Sequence, residues 1–268
     1  MKHKGFRFGL GLLLLSLAAC STSPTGRRQL LLYSDNDVAQ LGLTSFEQLK
    51  KQTKVSKNAK QTKFVQCVAK AVTEQIPAQY SNRPAQWEVV LFDDPQINAF
   101  ALPGGRIGVY SGLLGIAKGQ DQLAAVIGHE VSHVLAKHSN ERLSQSQVAN
   151  LGMVAADMAL GSSGYRQPAM AALGVGVQVG VLLPYGREQE TEADLLGLSL
   201  MANAGFDPRQ AVTLWQNMAQ SHKGKQQPEL LSTHPSDGTR IQAIQQLLPR
   251  VMPLYQAARQ AGRQPKCQ

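Results

Sequence analysis

The segment His129-Glu130-Val131-Ser132-His133 constrains this chain more than any other feature. It sits among apolar residues that repeat at helical spacing (Leu123, Val126, Ile127, Val131, Val134 and Leu135), which predicts a helix opening after Gly119 with Asp121 as its N-cap. Histidines at i and i+4 on a helix stand about one turn apart on one face, where both imidazoles reach one Zn²⁺. Glu130 lies beside that face, placed to take a proton from water activated by the metal. Chance produces such a motif in a chain of this length on the order of once in a hundred. The plain alternative is two helix histidines with ordinary hydrogen bonds and an exposed glutamate.

A catalytic zinc site takes three protein ligands and leaves a position open. Glu188-Gln189-Glu190-Thr191-Glu192-Ala193-Asp194 supplies acidic candidates, although such a run is often just a solvated helix face. Glu190 and Asp194 share a face at i, i+4. One of them is expected to ligate the metal while the other accepts a hydrogen bond from a ligand histidine and fixes its tautomer.

The rest of the chain reads as mostly helical with a small sheet. Helices are expected from Ser34, from about Asn58 to Gln75, over 141–160, from Glu188 to Asn203 with a stop at Gly205, from Pro208 to Ala219, and after a polar loop, Ser221 to Ser236. Trp87 to Phe92 reads as a strand; Asn98–Leu102 and Arg106–Tyr110, joined by Pro103-Gly104-Gly105, read as a hairpin or bent strand pair. The apolar, glycine-rich run Ala169–Leu183 is too short for a bilayer span and reads as a buried or lid helix. At 43% hydrophobic and 17% charged the composition is globular. The net charge of +9 comes without an aromatic-basic stripe, so no nucleic-acid partner is expected.

Residues 1–19 pair a basic start, MKHKGFRF, with the apolar run Gly9–Ala19, which is an export leader rather than a span. Leu17-Ala18-Ala19-Cys20 resembles a bacterial lipobox, implying cleavage before Cys20, lipidation of that thiol, and a tether over residues 20–33 ahead of a single domain, 34–268; the alternative is an ordinary secretory leader with a chance cysteine. Ser21, rather than Asp, after the lipidated cysteine implies the outer membrane. Cys67 and Cys267 remain; in an oxidising compartment they are expected to bridge the C-terminal tail to an N-terminal helix, with two free thiols as the alternative.

The motif helix, the Glu190-x-x-x-Asp194 pair, residues 98–105 (NAFALPGG), residues 109–113 (VYSGL), Gly197, and His234-Pro235 followed by Arg240 occur in one order over most of residues 35–250. Together they resemble the gluzincin metallopeptidases grouped with the CAAX prenyl proteases, HtpX, Oma and BepA, and most of all the stand-alone periplasmic lipoprotein proteases of the LoiP type. The resemblance implies an α+β, mostly helical, zincin-like fold with a small sheet beside the motif helix. It also implies one zinc per chain on His129, His133 and Glu190, with Glu130 as base and acid and Asp194 behind the ligands. Glu188 and Glu192 are less favoured ligands. His234 is implied as a catalytic group, either an extra, inhibitory ligand or a stabiliser of the oxyanion, with a capping histidine as the alternative; Arg240 is implied to anchor substrate or pair with an acid. His138 and His222 read as surface residues. An exposed edge on the Arg106–Tyr110 strand, with Asn98, Ala99 and Arg106, is implied to bind substrate as an added strand. The several membrane helices of the prenyl proteases and HtpX have no counterpart here.

The implied function is hydrolysis of misfolded or stalled envelope proteins at the periplasmic face of the outer membrane, with the membrane and its assembly machinery as partners. The alternative is a lipoprotein chaperone or assembly factor that binds unfolded strands and cuts little.

Overall fold

A computed structural model describes residues 20–160, 185–221, 229–234 and 238–267. The leader, the Ala169–Leu183 helix, His222 and Pro235 lie outside the described residues. The elements are β1 (Cys20–Thr22), β2 (Arg28–Leu30), α1 (Asp35–Gln52), α2 (Ala59–Thr73), β3 (Glu88–Phe92), β4 (Ala99–Leu102), β5 (Arg106–Tyr110), α3 (Gln120–Leu135), α4 (His138–Leu160), α5 (Arg187–Asn203), α6 (Arg209–Ser221), α7 (Glu229–Thr233) and α8 (Gly238–Gln260). This is the α+β, mostly helical architecture that the sequence implies, with the small sheet beside the motif helix.

Helix α3 is the centre of the molecule. Every residue from Gln122 to Leu135 is buried, because α2, α5, α6 and β4 surround it. The contact with α5 is the closest, and two glycines permit it. A methyl group at Gly128 would meet the Gly197 carbonyl oxygen at 2.8 Å, and one at Gly197 would meet the His129 nitrogen at 2.7 Å. Without Cβ atoms at this crossing, the acidic face of α5 comes within hydrogen-bond reach of His129. The helix start departs from the expectation. Gly119, at φ 105°, precedes the first turn, and Asp121 instead accepts the backbone N–H of Asp207 at 2.7 Å, fixing the entry to α6.

The sheet has the order β3-β5-β4, with β3 parallel and β4 antiparallel to β5. The Arg106–Tyr110 strand is therefore central, and the edge beside α3 belongs to β4. The expectation of an edge on Arg106–Tyr110 is corrected: the chain crosses from β3 past β5 before turning back at Pro103–Gly105. Under α1, Phe46, Phe92, Phe100 and Tyr110 form an aromatic cluster with centroids 5.5–6.4 Å apart.

Residues 20–33, read as a tether, behave otherwise. β1 and β2 pair as an antiparallel hairpin, with Cys20 opposite Leu30. The hairpin lies on the body: Gln29 is buried and donates to the Ala136 carbonyl, and the Leu32 N–H donates to Ser144. At the other terminus a disulfide joins Cys67 on α2 to Cys267, with 5.6 Å between their Cα atoms.

Candidate metal centre

Four buried side chains converge at the junction of α3, α5 and α7. His129 and His133 project from α3, Glu190 from the first turn of α5, and His234 from just beyond α7; their donor atoms all lie within 4.8 Å of one another. His133 Nε2 and His129 Nε2 are 3.0 Å apart, and His129 Nε2 and His234 Nδ1 are 3.2 Å apart. Glu190 Oε1 accepts from His234 Nδ1 at 2.9 Å, and the Glu190 carboxylate stands 3.5 Å from each α3 imidazole.

Behind this cluster Asp194 accepts from His129 Nδ1 at 2.9 Å. Arg240, from α8, donates to both oxygens of Asp194, at 3.1 and 2.8 Å, and to Glu190 Oε2 at 2.6 Å, while its guanidinium lies 3.8 Å over the Trp215 ring. The i, i+4 pair thus divides as the sequence allows, with Glu190 toward the histidines and Asp194 behind His129. Arg240 pairs with both acids. Glu188 is exposed on α5 and outside the cluster.

The donor set fits a divalent metal ion. Three imidazole nitrogens and one carboxylate oxygen lie within 4.8 Å of one another in a buried space, and such lone pairs suit zinc. Next to them Glu130 Oε1 is buried with no hydrogen-bond partner among the described residues, 3.4 Å from His234 Nε2. Charges around the cluster agree. Burial and the Arg240 charge push His129 down, but Glu190 and Asp194 outweigh them and raise it to about 9. Burial, with the His129 charge beside it, holds His133 well below its usual range. Burial also raises Glu130, with His234 and His129 pulling against it.

His138 is corrected from a surface to a buried residue. Its Nδ1 meets His133 Nδ1 at 2.9 Å and its Nε2 meets Glu192 at 3.2 Å. Glu192 also accepts from the Thr25 N–H and hydroxyl and from Arg27 Nε, and Arg27 pairs through its other two nitrogens with Glu141. Burial would raise Glu192, yet hydrogen bonds from His138, Ser23 and Thr25 bring it down to about 2. Burial opposes the shift at Glu141 too, but Arg27 and Gln189 depress it. A carboxylate below its unfolded value of about 4.3 stabilises the fold above that pH and loses the effect on acidification. Arg27→Gln should therefore lower the melting temperature by about 5 °C at pH 7, for a loss on the order of 2 kcal/mol. Melting curves from pH 7 to pH 3 check this: the gap to the parent should shrink below about pH 4, and a pH-independent gap would contradict the assignment.

The remaining candidates lie on the sheet and the hairpin. Asn98 precedes β4, its carbonyl accepting from Tyr110 at 3.1 Å and its side-chain oxygen buried with no hydrogen-bond partner among the described residues. Ala99 is buried on β4, close to α3. Since Asn98 turns its carbonyl to β5, the alternation of an antiparallel pair turns the backbone groups of Ala99 and Ala101 to the open edge. Arg106 is braced on Glu88 and on the Gly104 and Gly105 carbonyls. It lines a cleft of about 450 Å³ that also touches Asn82, Lys137 and His133. Cys20 is the first residue of β1. Sequence reasoning missed His138, Thr25 and Arg27; the one local signal was a third histidine five residues after His133.

Comparison with known proteins agrees with this geometry. The profile of peptidase family M48 matches residues 59–248. The mitochondrial metalloendopeptidase OMA1 of Schizosaccharomyces pombe is 41% identical over 166 residues, covering 61% of this chain and 47% of that protein. The mitochondrial metalloendopeptidase OMA1 of Bos taurus is 31% identical over 260 residues, 91% of this chain and 49% of the relative. The beta-barrel assembly-enhancing protease of Escherichia coli is 32% identical over 162 residues, 56% of this chain and 32% of the relative. The chain spans about half the length of the OMA1 relatives it matches.

Proposed function

This chain belongs to peptidase family M48, and on that footing we propose that it is a zinc-dependent endopeptidase that hydrolyses misfolded or stalled envelope proteins, held by a lipid on Cys20 at the periplasmic face of the outer membrane. The observation that carries the reading is the buried convergence of His129, His133, Glu190 and His234 beside a Glu130 oxygen that has no hydrogen-bond partner among the described residues. The name of the E. coli relative supports the envelope, as do the leader and Cys20; the OMA1 names point to mitochondria and supply the family chemistry alone.

His129, His133 and Glu190 would hold the zinc, which when bound supplies Lewis acidity that brings the pKa of water toward about 7 and polarises a carbonyl. Asp194 holds the proton of His129 on Nδ1 and so leaves the Nε2 lone pair facing the other donors. Glu130 accepts a proton from the attacking water and returns it to the leaving nitrogen, a role suited to a carboxyl whose pKa burial has raised. The edge of β4 takes an extended peptide through main-chain hydrogen bonds, which suits many sequences alike. Ile97, at the start of that edge, accepts the Leu230 N–H from α7 at 3.2 Å, so the segment carrying His234 is attached to the same edge.

His234 also supports a second reading. As a fourth donor it closes the cluster and favours a gated protease or strand-binding factor that cuts little. Metal content and casein cleavage of the full chain, beside His234→Ala, distinguish the two. About one zinc per chain, with cleavage lost to a chelator and restored by zinc, supports the peptidase; faster cleavage by His234→Ala adds self-inhibition. Zinc without cleavage in either protein favours the binding factor, and no zinc in metal-replete protein overturns the reading.

A further inference from the structure

We infer that His138 and Glu192 position the ligand His133, and that the N-terminal hairpin, through Thr25 and Arg27, holds this pair in place. The inference rests on the metal-centre reading and extends it to residues outside the ligand set.

The hydrogen-bond directions follow from chemistry. A ligand His133 presents its Nε2 lone pair to the cluster, so its proton is on Nδ1 and donates to His138 Nδ1, 2.9 Å away. His138 Nδ1 must then be the bare nitrogen and Nε2 the protonated one. Nε2 donates to Glu192 Oε2 at 3.2 Å. The Glu192 carboxylate is filled by further donors from the hairpin: the Thr25 N–H and hydroxyl at 3.1 and 2.8 Å on Oε1, and Arg27 Nε at 3.2 Å on Oε2. Each group in the series has one role that satisfies its neighbours, so the His133 ring has one orientation and one tautomer.

Backbone geometry places His138 there. His133 and His138 are five residues apart and would not share a face of one straight helix. The break is at Lys137, at φ 58°, the one non-glycine residue with positive φ among the described residues. There α3 ends and α4 begins, and the turn brings His138 back onto the outer edge of His133. Lys137 Nζ is itself held by Asp35 at 2.8 Å. Hairpin residues 20–30, immediately after the leader, thus reach the metal site through two side chains, and Arg27 clamps the assembly to α4 through Glu141.

Outer partners of ligand histidines typically contribute 10–100-fold in metal affinity. In the full chain, Glu192→Gln and His138→Phe should therefore weaken zinc binding about 10–100-fold, measured by competition with a chromogenic chelator. Thr25→Val, which removes one of several donors, should weaken it less. Two readouts separate positioning from general destabilisation: the visible spectrum of the Co²⁺-loaded protein, which follows ligand geometry, and melting of the metal-free protein. Glu192→Gln should shift the Co²⁺ bands, beyond whatever melting temperature the metal-free protein loses with the Arg27 ion pair. Should His138→Phe fail to fold, Glu192→Gln and Thr25→Val still decide. Zinc affinity within twofold of the parent in Glu192→Gln overturns the inference and leaves the peptidase reading intact. So does weakening that only follows lost melting temperature with unchanged Co²⁺ bands. A parent chain that binds no zinc overturns both.

Discussion

Glu130→Gln is expected to lower casein cleavage about 10³-fold while leaving zinc content near the parent's. The side chain keeps its size and loses its capacity to take a proton, and a positioned general base contributes about 10²–10⁴-fold. The parent carboxylate is well placed for the role. It is buried, its Oε1 has no hydrogen-bond partner among the described residues, and burial raises its pKa, so a proton accepted there can be passed on. An amide at the same position holds no proton to move. Because Glu130 is outside the expected ligand set, zinc stoichiometry and affinity are the controls: they should change little. Cleavage within tenfold of the parent would mean that another group carries the proton, and His234, 3.4 Å away, would be the next residue to test. Loss of zinc along with activity would instead place Glu130 among the ligands.

Much of this site was legible because it is written in helical periodicity. His129 and His133 occupy one face of α3, Glu190 and Asp194 one face of α5, and both helices fall close to where apolar spacing puts them. The parts that stayed hidden are those that local pattern does not encode. Glu192 meets Arg27 across 165 residues, and the charge run containing it reads the same whether it faces solvent or a buried histidine. His138 lies beyond a left-handed backbone turn that no side-chain preference announces, since the residue there is lysine rather than glycine. Strand alternation gave β4 and β5 but not their order, because period-2 patterning is blind to which neighbour a strand pairs with; the edge passed from Arg106–Tyr110 to Ala99–Leu102 for that reason. Asp121 suits an N-cap by residue type, yet its carboxylate has a tertiary donor in Asp207, and such a bond outcompetes a local one. Both hidden groups, the His138–Glu192 pair and the β4 edge, are tertiary neighbours of a motif that is itself entirely local.

Arg240→Met is expected to cost the metal-free protein about 3–5 kcal/mol, the range for removing one member of a buried ion pair. Arg240 is the cation between two carboxylates: it donates to Asp194 twice and to Glu190 once, with Trp215 covering the other face. Burial opposes the ionised form of both acids, but Arg240 and His129 hold Asp194 low and His234 and His129 hold Glu190 low. Methionine fills much of the volume and contacts Trp215, so the loss would report charge and hydrogen bonds rather than a cavity. For a domain of this size the melting temperature of the metal-free protein should fall by about 10 °C. Zinc should recover more of the loss in the variant than it adds to the parent, because a dication at the ligands restores positive charge near Glu190 that Arg240 no longer supplies or repels. The sign of the pH dependence is also set. Depressed carboxylates stabilise above about pH 4.3 and lose that effect as acid protonates them, so the gap between parent and variant should close toward low pH. Calorimetry of both proteins, with and without zinc, from pH 7 to pH 3 measures all three effects. A gap under 1 kcal/mol at pH 7 would mean that Asp194 and Glu190 do not depend on Arg240 for their charge, and that His129 and His234 are enough to keep the acids ionised.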